Sequence, residues 1–143
     1  MSDIEVLWLD DDSPEKVEGF PGIKITTAQT CAEAEQLLSS GKINPDWAII
    51  DLIVPQGGWG DSVKAIPGLN YIHHLNRKYG DKMGIVAFSI VMPDRLRQKV
   101  LEAGALDAIA KSSKSWASIL DDLRDGDLQS KHTERLNAGV RKE

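Results

Sequence analysis

Short apolar runs, each cut off by polar residues, alternate along this chain with stretches whose apolar positions recur every three or four residues. The runs are 4–9 (Ile-Glu-Val-Leu-Trp-Leu), 23–27, 47–50, 84–88 and 106–110. Their length and β-branched and aromatic content predict five buried strands. Between them, Ala34, Leu37 and Leu38 define one helical face, and Leu69, Ile72 and Leu75 a second. Leu96, Val100 and Leu101 give a third, and Trp116, Ile119, Leu120 and Leu123 a fourth. Thr30 and Glu33 have capping-box spacing, with Glu33 reaching back. Gly41 and Gly104 fit just past helix ends, and Pro93 suits a first turn. Strands alternating with helices predict a parallel sheet with right-handed crossovers.

The pattern weakens in three places. The stretch from Asp12 to the second strand contains Pro14, Gly19, Pro21 and Gly22, too short and broken for a full helix. Residues 56–67 form a Gly-rich loop after Pro55, long enough to act as a lid. One domain is expected over residues 1–124, followed by a charged tail, 125–143. Within that tail Leu128, His132, Leu136 and Val140 recur every four residues, a weak amphipathic-helix signal.

Composition narrows the function classes. A hydrophobic fraction of 41% in 143 residues suits one soluble globular domain. A net charge of −5 argues against non-specific binding to a phosphate backbone. No apolar run approaches the roughly 20 residues of a membrane span, and the acidic start does not resemble a secretory signal. A single cysteine, Cys31, fits a reducing compartment and a buried helical position. A cytoplasmic protein without direct nucleic-acid contact or membrane insertion is expected.

The chemistry sits where the strands end. The first strand runs into Asp10, Asp11 and Asp12, the third into Asp51, the fourth into Ser89 and the fifth into Lys111. In an open parallel sheet these carboxyl ends share one edge, where ligands bind. Crowded carboxylates repel unless a cation compensates, and an all-oxygen cluster suits Mg2+. With Mg2+ and Lys111 neutralising charge, a carboxylate can attack a phosphoryl group and form an acyl phosphate. Metal, lysine and the Ser89 hydroxyl would then bind the peripheral oxygens. Taken singly, the acidic triplet is a solvated turn, Ser89 a satisfied hydroxyl and Lys111 a surface lysine. Their common position reverses that reading.

These residues resemble the receiver domain of two-component response regulators, from about Asp3 to Leu123. Leu9-Asp10-Asp11-Asp12-Ser13-Pro14 is similar to the family's acidic pair. Residues 45–55, from Pro45 through Asp51 to Pro55, resemble the phosphoacceptor strand, and 103–111 the stretch leading to the lysine. The resemblance implies a flavodoxin-like, doubly wound sheet in the order 2-1-3-4-5, here with the first helix shortened or absent. It implies Asp51 as phosphoacceptor, Asp11 as direct Mg2+ ligand and Asp10 as ligand through water. The Ile53 backbone carbonyl would complete the set, Ser89 would hold the phosphoryl group and Lys111 would pair with it. Asp12, just beyond the matched pair, is a solvated acid or helix cap. The implied activity is at most self-phosphorylation and autodephosphorylation. The implied partners are a histidine kinase or histidine phosphotransfer protein and a downstream protein target.

Several positions depart from the family pattern. The stretch where the family carries its docking helix is too short and broken for it here, Ala108 replaces the usual switch aromatic, and Ser112 replaces the proline after the lysine. Ile90 is bulky where a small residue is usual, which would slow phosphorylation and hydrolysis. Two alternatives follow: a degenerate receiver that binds proteins without phosphorylation, or a haloacid-dehalogenase-type phosphatase using Asp10. The phosphatase would need a later acidic pair, and Asp121-Asp122 falls on a predicted helix. His73-His74 lacks a third ligand and reads as an ordinary helical pair. Residues 57–60 lack the Lys-Ser/Thr of a phosphate-cradling loop. Trp8, Trp47 and Trp116 read as core, and Trp59 as an exposed loop residue.

Overall fold

The computed structural model describes residues 4–11, 22–53, 66–80, 82–90, 92–126 and 128–134. The elements, in chain order, are β1 (Ile4–Leu9), β2 (Ile23–Ala28), α1 (Cys31–Ser39), β3 (Trp47–Ile50) and α2 (Pro67–Tyr79). They continue with β4 (Gly84–Ser89), α3 (Asp94–Ala103), β5 (Asp107–Ala110) and α4 (Trp116–Asp125). All four strand pairings are parallel, and the sheet order is β2-β1-β3-β4-β5. This is the expected doubly wound, flavodoxin-like arrangement.

Side chains alternate across each strand, so the sheet divides its apolar residues between two layers. Leu7, Leu9, Ala48, Ile50, Ile85 and Ala87 face α1, α2 and α3, where Ala34, Tyr71, Ile72, Leu75 and Val100 meet them. Val6, Trp8, Trp47, Ile49, Val86 and Phe88 face the other way, towards Ile119, Leu120 and Leu123 of α4. Strands buried on both faces read as continuous apolar runs, which is why the sequence outlines them so closely. Trp8 and Trp47 are buried as expected, and Trp116 packs at the margin of the second layer.

Helix termini differ from expectation in informative ways. Thr30 caps α1, accepting from Glu33 N–H at 3.0 Å, but Glu33 Oε1 accepts from Gln29 N–H at 3.1 Å rather than from Thr30. Pro93 is extended (ψ 157°), so it stands as the N-cap and α3 begins at Asp94. Gly41 and Gly104 follow their helices with φ of 77° and 122°. Leu101 is 37% exposed, a correction to the predicted face of α3. Leu96, Val100 and Ala103 follow the three- and four-residue spacing that turns inward, and Leu101 falls off that stripe. Strand β5 starts at Asp107, one residue later than the apolar run suggested.

Part of the predicted tail stripe is realised. Residues 128–134 are helical, Leu128 and His132 are buried, and the His132 ring lies 5.7 Å from the Trp47 ring. This places the segment in the α4 layer, beside the start of β3. Leu136 and Val140 lie outside the described residues. So do Asp12, the broken stretch from 12 to 21, Pro55, and the loop with Trp59. Among the described residues, no helix is long and apolar enough to cross a membrane.

Candidate functional site

The acidic residues arrive at one sheet edge because their strands are hydrogen-bonded neighbours. Asp10 and Asp51 follow the last residues of β1 and β3, which pair Leu9 with Ile50. Their own amides prolong the ladders: Asp10 N–H donates to Ala28 O at 2.9 Å, and Asp51 N–H to Leu9 O at 2.8 Å. Both carboxylates point towards the α4 layer by strand alternation, one step beyond Trp8 and Ile49. Asp10 and Asp51 are 2% and 6% exposed, whereas Asp11 lies open at the rim. One oxygen from each of Asp10, Asp11 and Asp51 lies within 4.8 Å of the others. Among the described residues this is the one cluster of potential metal ligands.

Lys111 enters from the far side of the sheet edge. Its backbone N–H donates to Ser89 O at 2.8 Å, fixing the turn after β5 against β4. From there Nζ donates to Asp10 Oδ2 at 2.8 Å and to Asp51 Oδ2 at 3.2 Å. The ammonium therefore bridges two carboxylates that belong to different strands. Asp51 also accepts from the Ile53 N–H at 3.1 Å through Oδ1, which folds the chain back after the aspartate. Ser89 is fully buried, and its hydroxyl has no hydrogen-bond partner among the described residues. A buried hydroxyl without a partner is costly unless a ligand supplies one.

The electrostatics follow from this crowding. Burial, and secondarily the Asp10 charge, raise the Asp51 carboxyl above its ordinary range, although Ile53 N–H and Lys111 pull the other way. Burial works against the Lys111 ammonium, but its bond to Asp10 and the charges of Asp51 and Asp10 outweigh burial and raise its pKa. Lys111 is thus cationic at neutral pH, and the pocket remains net negative around it. Three carboxylates, all offering oxygen, one of them with its pKa raised chiefly by burial, fit a hard divalent cation.

Some contributing residues were not evident from the sequence. Gly68, in the first turn of α2, donates its N–H to Leu52 O at 3.0 Å. A Cβ there would overlap the Asp51 carbonyl oxygen and Leu52 Cα, so the helix lies directly on the acceptor strand's exit. The one available signal was a glycine inside an otherwise good helical turn. Gly68→Ala, normally favourable in a helix, should instead destabilise by about 2 kcal/mol because backbone cannot yield as a side chain can. Thermal unfolding decides this, and an unchanged or raised melting temperature would remove the close approach.

Arg97 of α3 is another residue whose role the sequence does not signal. It donates to the Ala108 carbonyl and, at 3.1 Å, to Asp107 Oδ1, tying α3 to β5 beside the position where an aromatic was expected. Ala108 is itself fully buried, and Ile90 is 72% exposed beside Ser89. His74 does not approach the acidic cluster: its Nε2 pairs with Glu35 Oε2 at 2.7 Å, and its ring stacks on Tyr71. Cys31 is fully buried, with its thiol pushed up to about 11 by that burial. Asp121 and Asp122 lie on α4 and are paired with Arg124 and Lys114.

A doubly wound parallel sheet with an acidic pocket at its carboxyl edge defines a broad class of α/β proteins. Within that class, the chain has the receiver-domain fold of response regulators. A CheY-like response regulator receiver domain protein from Methanospirillum hungatei superposes with a TM-score of 0.70 at 18% identity, over 93% of this chain and 99% of that one. The BeF3-activated N-terminal receiver domain of Klebsiella pneumoniae RstA gives 0.64 at 23% identity, over 84% of this chain and 95% of that one. The receiver domain of the Francisella response regulator 1452 gives 0.65 at 21% identity, over 93% and 99%. At these identities the likeness is one of fold. No protein-family model and no curated protein sequence matches the chain.

Proposed function

We propose that this chain is a phosphoaccepting receiver of a two-component or phosphorelay system, with Asp51 as the acceptor. The observation that carries the reading is the Lys111 ammonium held between Asp10 and Asp51, at 2.8 and 3.2 Å, in a pocket of three carboxylates. Asp10, Asp11 and Asp51, with the Ile53 carbonyl, would hold Mg2+. When bound, that ion supplies the positive charge that lets carboxylates and a phosphoryl group share one site.

The remaining chemistry belongs to the chain's own residues. An Asp51 carboxylate oxygen attacks the phosphorus of a phosphohistidine or small phosphodonor. The new acyl P–O bond forms as the donor's P–N or P–O bond breaks, and the electron pair leaves with the imidazole or carboxylate. Lys111 balances the charge that gathers on the peripheral oxygens, and Ser89 donates its free hydroxyl to one of them. The donor would be a histidine kinase or histidine phosphotransfer protein, and the output a contact with a downstream protein in the cytoplasm. Ile90, standing exposed beside Ser89, would slow both loading and hydrolysis.

Incubation with Mg2+ and acetyl phosphate, followed by peptide mass mapping, tests this reading. A phosphoryl adduct on Asp51 is the expected result. An adduct on Asp10 would overturn it in favour of a phosphatase. A folded protein that takes neither phosphoryl nor beryllofluoride would overturn it in favour of a phosphorylation-independent interaction module.

A further inference from the structure

Lys111 has a third contact that the phosphoryl chemistry does not use. Its Nζ lies 5.7 Å from the centroid of the Phe88 ring, within the range of a cation–π interaction. By strand alternation Phe88, packed in the α4-side layer, shares that face with Asp10, Asp51 and Lys111. Its register partner on β5 is Ile109, two residues before Lys111 on that face. The ring is 5% exposed, and Trp8 meets it edge-on at 6.0 Å and 90°, which fixes its plane.

We propose that Phe88 is a positioning residue for Lys111, its ring face holding the ammonium between Asp10 and Asp51. The proposal rests on the reading of Asp51 as phosphoacceptor. The carboxylates alone hold Lys111 only while their charge is unclaimed. A divalent cation engages that charge before any phosphoryl group is in place, and a long flexible side chain would then lose its anchor. The ring's negative face does not depend on the carboxylates' charge, so it keeps the ammonium poised through the transfer. An aliphatic residue fills the same space without a quadrupole.

Two measurements on the full chain test this. In protein with isotopically labelled lysines, the Lys111 ε-methylene signals should show an upfield ring-current shift. That shift should vanish in Phe88→Leu and return in Phe88→Tyr. With Mg2+ and acetyl phosphate, Phe88→Leu should slow Asp51 loading roughly fivefold, the rate equivalent of a partly desolvated cation–π contact, with Phe88→Tyr close to the parent. In a Lys111→Met background Phe88→Leu should have no further effect. If leucine prevents folding, Phe88→Met serves as the non-aromatic variant.

Unshifted Lys111 signals in the parent protein would overturn the proposal, as would a leucine effect that persists undiminished without Lys111. A shifted Lys111 in a parent that never loads would support the contact and overturn the phosphoacceptor reading. The two failures are therefore distinguishable.

Discussion

Asp51→Asn is expected to make the protein more stable at neutral pH while abolishing its phosphoryl adduct. Asp51 is buried near two other carboxylates, and its folded-state pKa is raised, chiefly by burial. A carboxyl with a raised folded pKa binds its proton more tightly when folded than when unfolded. Its ionisation therefore costs stability as pH rises through the window from the unfolded value, about 3.9, to the higher folded one. Below that window the aspartate is neutral and nearly isosteric with asparagine, so the two proteins should melt alike. Above it the asparagine variant should be more stable by roughly 1–2 kcal/mol, or about 3–6 °C for a chain of this size. Millimolar Mg2+ should narrow the gap by stabilising the parent, with its full set of carboxylates, more than the variant. Melting curves from pH 3 to 8, with and without Mg2+, give the result. A variant less stable than the parent at pH 7 would show that the bonds from Lys111 and Ile53 outweigh the repulsion.

Lys111→Met is expected to drive two properties in opposite directions. The Nζ occupies the space between Asp10 and Asp51 and supplies the pocket's internal positive charge. Removing it takes away the counter-charge that Asp10 and Asp51 share, so a free divalent cation should bind more tightly. Two unit charges about 5 Å apart at an effective dielectric near 20 interact by roughly 3 kcal/mol, and solvent screening reduces this to about a tenfold gain in affinity. Loading of Asp51 should fall instead, by about 100-fold or more, because a fixed cation that balances developing charge has been lost. Calorimetric titration with Mg2+ reads the first, and mass spectrometry after acetyl phosphate the second. Weaker Mg2+ binding in the variant would mean that Lys111 organises the carboxylates rather than competes for them.

Much of this site could be anticipated, for reasons that differ from residue to residue. Asp10, Asp51, Ser89 and Lys111 each close a buried apolar run, and a polar residue at the end of a buried strand is conspicuous in one dimension. Gly68 was hidden because its role depends on the Asp51 peptide, which lies well before it in the chain. Phe88 was hidden for the opposite reason, since an aromatic in an apolar run reads as core. It is core, and yet one face of its ring meets an ammonium. Arg97 resembles any exposed helical arginine until α3 is laid beside β5. Leu101 misled because adjacent apolar residues on a helix cannot both face inward. His132 became intelligible only when its ring was found against Trp47.

The sequence by itself determined the strands, the helices and the identity of the groups that end the strands. These are local properties: periodicity, chain length and capping chemistry are written in neighbouring residues. It also determined that the pocket would be acidic with one cation. Which groups touch was decided by tertiary structure, because register across parallel strands joins residues far apart in the chain. Lys111 lies 101 positions from Asp10, and only the pairing of β1, β3, β4 and β5 brings its ammonium to both carboxylates and one aromatic face.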